Sequence, residues 1–352
     1  MLGLMEEYPF PRLAETVLDD HALAVSWSKG GELLAAMPSE GRTTILQSGS
    51  AQSISLPPHQ GGNGTAAWHP HDRLLATYGQ DRIVRLFEPP FSGPLRSFKI
   101  EERGWAERME WNPAGTLLAV AAGRSVCVID PTSGGTHAMF PDHKSTVSDL
   151  SWNPARDDEI AVVCDGGLRI WRVGNREPVG AFDWGGASLK VSWSPDGRWV
   201  VTGDQTPSVH IYEVATETPL HIQGFGAKAK AFAWQGSGKR LAIASGPTIT
   251  VWPCTGKKGP NGAKPILLEG HRTEISVLQF LNNDGLLLSC GRDGAALLWM
   301  THKSEQPALL LHSPHGFSTA SFAPGTNHLA TGDESGRVFI WNLIAQLSSL
   351  SN

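Results

Sequence analysis

The chain has 352 residues, 40% of them hydrophobic and 18% charged, a balance that supports a sizeable core and excludes a disordered or collagen-like chain. Its 39 Gly, 24 Pro, 13 Trp and 12 Phe favour many short strands joined by turns and exclude a helical bundle. A formal charge of -5 with no basic block argues against a nucleic-acid partner. No run reaches the roughly 18 apolar residues of a spanning helix, and Glu6 and Glu7 stand where a secretory signal would be positive, so no membrane partner and a cytoplasmic setting are expected.

In chain order, an extended segment from Arg12 to Leu18 comes first, followed by one unit repeated eight times. Its marker is an aromatic residue: Trp27, Trp68, Trp111, Trp152, Trp193, Trp234, Phe280 and Phe322. The spacings are 41, 43, 41, 41, 41, 46 and 42, the length of a four-stranded propeller blade. Two residues before each marker lies an apolar residue, among them Val25, Met109, Leu150 and Val191, which is the period-two pattern of a buried strand. Turn residues follow, as in Asn112-Pro113-Ala114-Gly115 and Ser194-Pro195-Asp196-Gly197. Leucine pairs such as Leu33-Leu34 and Leu286-Leu287 open a second strand, and Phe87, Trp171, Tyr212, Trp252, Trp299 and Trp341 close a third. The connecting segment supplies a fourth.

The stretch Gly270-His271, then Leu288-Ser289-Cys290-Gly291-Arg292-Asp293-Gly294, then Leu298-Trp299 resembles a WD40 repeat, and weaker copies cover nearly the whole chain. The resemblance implies a hydrogen-bonded tetrad of His271, Ser289, Asp293 and Trp299. Unit two offers His59, Thr77 and Asp81 with Phe87, which lacks an indole donor; unit four offers His143, Asp165 and Trp171, with Ala161 where a hydroxyl is needed. In that register Trp184 occupies the place of the histidine in unit five.

Counting units predicts an all-β chain folded as a single eight-bladed WD40-type propeller over residues 1–352, with four-stranded antiparallel blades. The last unit lacks an outermost strand, so the N-terminal segment is expected to close it; the alternative is a strand from Leu343 to Leu347.

Four cysteines, Cys127, Cys164, Cys254 and Cys290, stand far apart with no CxxC pair, which predicts reduced, buried thiols. Without a secretion signal, the Asn63-Gly64-Thr65 match to a glycosylation acceptor is a chance one. No HExxH, nucleophile elbow or Walker loop occurs. The residues just before the markers, Ser26, Ala67, Glu110, Ser151, Ser192, Ala233, Gln279 and Ser321, hold a single carboxylate, too few for paired-acid chemistry around the axis. No catalytic residue, cofactor or metal is therefore expected. Two clusters stand out: Arg108, Asp149 and Lys190, three residues before consecutive markers, predict an ion-pair chain, and His69 and His71, with His59 expected on the opposite face, leave two ligands where zinc wants three or four.

The resemblance implies a non-enzymatic scaffold, monomeric by itself, that binds protein partners through loops on the face where the chain enters each innermost strand. We call this the leading face. Its candidate contacts are His21, Gln80, Arg103, Trp105, Lys144, Lys228, Arg272, Glu274 and Arg292, with aromatic and Arg residues as the natural anchors. On the opposite face, the loop from Thr255 to Lys264 reads as a flexible insertion or, through Lys257, Lys258 and Lys264, a basic docking loop. The alternatives are a channel enzyme or small-molecule binder, and a metal-handling accessory protein.

Overall fold

The computed structural model describes residues 12–50, 52–101, 104, 106–141, 143–216, 218–256, 259–281, 285–301, 306–323 and 325–343. Each marker aromatic lies at or next to the end of a strand that is innermost in its unit: Ala22–Trp27, Asn63–Trp68, Ala106–Trp111, Asp149–Trp152, Gly180–Trp193, Ala229–Trp234, Ile275–Phe280 and Phe317–Ala323. These strands touch their sequence neighbours in a closed circuit, the last packing against the first. A turn follows each marker, and the next residue closes it. Asn112 Oδ1 accepts from Leu117 N at 2.9 Å, Ser194 Oγ from Trp199 N at 2.9 Å and Ser28 Oγ from Leu33 N at 3.1 Å.

The strands assort into seven sheets, so the propeller has seven blades and the expectation of eight is corrected. Six blades are four-stranded and antiparallel. The other is a six-stranded blade that holds sequence units four and five together, ordered Asp149–Trp152, Glu159–Arg172, Gly180–Trp193, Trp199–Asp204, Ser208–Glu213 and Thr218–Gln223. Its two 14-residue strands run through positions where other units break into turns. Gly166 and Gly167, at φ of +97° and +106°, allow this in the first of them. A Cβ on Gly167 would lie 2.2 Å from the Phe182 carbonyl oxygen, so only glycine lets the two strands stay paired there. In the second, the Gly180–Asp183 portion pairs with Glu159–Arg172 and the Ser188–Trp193 portion with Trp199–Asp204. Equal marker spacing hid the fusion.

The last blade is closed by the N-terminal segment. Arg12–Val17 pairs antiparallel with Arg337–Asn342, Thr16 opposite Val338, and Leu18 N donates to Gly336 O at 2.8 Å. The outermost position is thus filled from the N-terminal side. Leu343 is buried, with its N–H on Asn327 O, and residues 344–347 of the alternative strand lie outside the described residues.

The core lies between blades. Ala35, Ile45 and Leu56 of the first blade pack with Trp68, Leu75 and Phe87 of the second, and each fully buried Leu, Ile or Phe contributes about 1.5–3 kcal/mol. Hydrogen bonds reinforce this packing around the ring. The indole N–H of Trp27 donates to Ser321 O (3.0 Å), Trp68 to Ser26 O (2.8 Å), Trp111 to Ala67 O (3.1 Å), Trp152 to Glu110 O (3.0 Å) and Trp193 to Ser151 O (2.9 Å). Each of these five markers therefore bonds the residue that precedes the marker before it, and Trp27 carries the pattern across the point where the first and last blades meet.

Candidate functional site

Three units show how the polar residues between the outer strands are used. In unit seven His271 Nδ1 donates to Asp293 (3.1 and 3.2 Å), its Nε2 accepts from the Ser289 hydroxyl (2.8 Å), and Ser289 Oγ accepts the Trp299 indole N–H (2.8 Å). Asp293 also accepts from Arg272 N and Ala295 N. Burial pushes its carboxyl up, but the donors from His271 and the backbone outweigh that and hold it down at about 2. Unit two repeats the pattern one bond short, with His59 on Asp81 (2.8 Å) and Thr77 (2.9 Å) and Phe87 offering no donor. Burial, the largest influence on His59, lowers its pKa and keeps the ring neutral. In unit four Ala161 removes the hydroxyl, and Trp171 donates straight to His143 Nε2 at 3.1 Å while His143 Nδ1 donates to Arg124 O at 3.0 Å. Asp165 pairs instead with Lys144, 3.1 Å away.

The leading-face residues fall into separate groups. His21 and Arg292 line one depression with Ala22, Leu23, Ser318 and Glu334, at the junction of the last two blades with the first. Leu23 is 37% exposed there, and Arg292 lies 3.7 Å from Glu334. Glu274 is held by Lys230 at 2.9 Å, and Lys144 borders a second depression with His143, Asp165 and Arg169. Arg272 is exposed, whereas Gln80 and Lys228 are half-buried. Arg103 and Trp105 lie outside the described residues.

On the inner rim Asp149 is buried and joins three units. Arg108 Nε donates to Asp149 Oδ1 at 2.7 Å, Lys190 Nζ is 3.9 Å from Oδ2, and Val191 N donates to Oδ2 at 3.2 Å. Beside it, desolvation first and the negative Asp149 second push the Glu110 carboxyl up to about 8. These groups hold neighbouring strands together; Glu110 also accepts from Trp152 N.

The histidine pair of the second blade has a structural use. His69 Nε2 donates to Gly115 O (2.9 Å) while its Nδ1 accepts from the backbone of His71 and Asp72, and His71 Nε2 donates to Pro113 O (2.8 Å). His59 is committed elsewhere. The loop from Thr255 to Lys264 is less free than its composition suggests: Gly259 and Pro260 are buried, with Gly259 against the Trp199 ring. Lys257 and Lys258 lie outside the described residues.

Sequence reasoning missed one constellation. Asp204, His210 and His221 bring one ligand-type atom each to within 4.8 Å of one another. His210 Nδ1 donates to Asp204 Oδ2 at 2.8 Å, the two imidazoles stack at 4.1 Å with 6° between planes, and Trp184 leans on both rings. The signal was available in the strand register: a hairpin pairing Glu213 with Thr218 sets His210 opposite His221.

A family model of the WD40 domain, the G-beta repeat, matches residues 134–172, 186–213, 264–300 and 309–342. THO complex subunit 3 of Arabidopsis thaliana is 25% identical over 142 residues, 39% of this chain and 45% of that protein. Protein transport protein SEC31 of Chaetomium globosum is 24% identical over 71% of this chain and 21% of its own length. The SIR4-interacting protein SIF2 of Saccharomyces cerevisiae is 23% identical over 79% of this chain and 50% of its own. The chain thus spans half or less of the length of these relatives. The crystal structure of the computationally designed Ika8 protein shares the fold, with a TM-score of 0.78 at 16% identity over 94% of this chain and 99% of that one. With four family matches, WD-repeat relatives and a closed ring of antiparallel sheets, the chain is a WD40-repeat β-propeller.

Proposed function

We propose that the protein is a non-enzymatic scaffold that binds protein partners on its leading face, through the depression around Leu23 and Arg292. The observation that carries this reading is the composition of that depression: an exposed Leu beside Arg, His and Glu, built from the first and the last two blades. An apolar centre with a charged rim is what a protein contact requires, and Arg is a frequent anchor. The names of two relatives, a complex subunit and an interacting protein, support partners of this class. The inner-rim carboxylates Glu110 and Asp149 are engaged in hydrogen bonds between strands, which favours a scaffold over a channel enzyme. The four cysteines are buried and free, as fits a reducing cytoplasm.

Co-purification from native lysate, followed by mass spectrometry and affinity measurement with the purified partner, tests the proposal. A Leu23→Ala, Arg292→Ala variant is expected to fold and to lose about 2 kcal/mol or more of binding. Wild-type affinity in that variant would exclude the depression as the contact.

A further inference from the structure

Two units place an aspartate eleven residues after the marker, Asp204 in unit five and Asp333 in unit eight, and both are buried. Asp333 Oδ1 accepts from Ser335 N and Oγ and from Arg337 N, and Oδ2 accepts from Ser313. That is the work of a turn-closing carboxylate. Asp204 also accepts serine hydroxyls, from Ser188 at 3.1 Å and Ser208 at 2.8 Å, but it faces imidazoles as well. The unit-eight residue in the position of His210 is Phe339, seventeen after the marker.

We propose that Asp204, His210 and His221 form a binding site for one borderline divalent transition ion such as zinc. Two imidazole nitrogens and a carboxylate are the donor set such ions prefer, and three protein ligands leave a fourth position for water or an external ligand. Zinc holds N and O donors at about 2.0–2.2 Å, so the three atoms, within 4.8 Å of one another, converge on one ion when the His221 ring tilts out of its stack on His210. The site is built rather than incidental. Asp204 is fully buried and His210 is 5% exposed, while the half-buried His221 keeps a path to solvent. Strand pairing fixes His210 opposite His221, and the Trp184 ring lies 4.4 Å from the first and 5.0 Å from the second.

The experiment is calorimetric titration of the untagged, chelator-treated full chain with zinc chloride. One equivalent per chain is expected, with His221→Gln and His210→Gln each weakening binding at least about tenfold. The half-buried His221 variant should melt at the wild-type temperature in chelator, which separates loss of ligand from loss of fold. Nickel should quench tryptophan fluorescence in the wild type and much less in Trp184→Phe. A His69→Gln, His71→Gln variant should bind as the wild type does. Absence of saturable 1:1 binding below about millimolar zinc, or binding unchanged in His221→Gln, overturns the proposal.

Discussion

Units seven and five begin from the same strand pattern and use their polar residues in opposite ways. In unit seven every polar atom of the His271, Ser289, Trp299 and Asp293 chain is matched to a neighbour, and His271 and Trp299 are sealed inside. In unit five Trp184 replaces the histidine, Tyr212 replaces the tryptophan, and two imidazoles gather beside Asp204 with one of them reaching the surface. Propeller geometry does not need the full tetrad in each unit, because interblade packing and the indole bonds also hold the ring. Where the tetrad is relaxed, its position becomes available for other chemistry.

The sharpest test of that difference is Ser289→Ala. It leaves an imidazole nitrogen and an indole N–H unmatched in a dry site, so a loss of about 3 kcal/mol is expected in denaturant unfolding. Thr77→Ala in unit two removes one such bond and should cost about 1 kcal/mol. Equal losses in the two units would break the argument that the relay differs in completeness.

Acid and base titrations of stability should separate the relay from the inner rim. Asp293 is held at about 2, below its unfolded value of 3.8, so its contribution is complete above about 4 and is lost as pH falls toward 2. Glu110, raised to about 8 from 4.5, behaves oppositely: the folded form keeps a proton that the unfolded form has released, and stability falls as pH rises from about 4.5 to 8. Asp293→Asn should flatten the acid limb, and Glu110→Gln the neutral slope. A neutral slope that persists in Glu110→Gln would assign it to another group.

The smallest effect concerns the indole ring of bonds. Trp193→Phe loses a bond to Ser151 O and should cost about 1 kcal/mol. The buried indole nitrogen of Trp234 has no partner, so Trp234→Phe should be neutral or slightly stabilising. Equal costs would mean that ring size, not hydrogen bonding, decides both.

Much of this was legible beforehand. The marker series located the innermost strands, and leucine pairs such as Leu33-Leu34 and Leu286-Leu287 the strands beside them, because period-two burial and turn residues act locally. Blade number was not legible, since marker spacing does not report whether a chain leaves its sheet between markers; the glycine pair Gly166-Gly167, at positive φ, lets it stay. His69 and His71 stood out as ligand candidates through adjacency, whereas the structure joins them to backbone carbonyls of the next blade. Asp204, His210 and His221 escaped notice because cross-strand register brings them together and sequence proximity does not.

The pairing of Arg12–Val17 with Arg337–Asn342 also sets an order of events during synthesis. The strand that completes the last blade is made before the rest of that blade, and its partner follows about 320 residues later. At about 5–20 residues per second, the segment waits on the order of tens of seconds as an unpaired strand, a state that invites association with other chains. Its sequence suits the wait. Arg12, Leu13, Glu15 and Val17 are exposed even in the finished ring, and the two charges among them discourage stacking of like strands on the nascent chain.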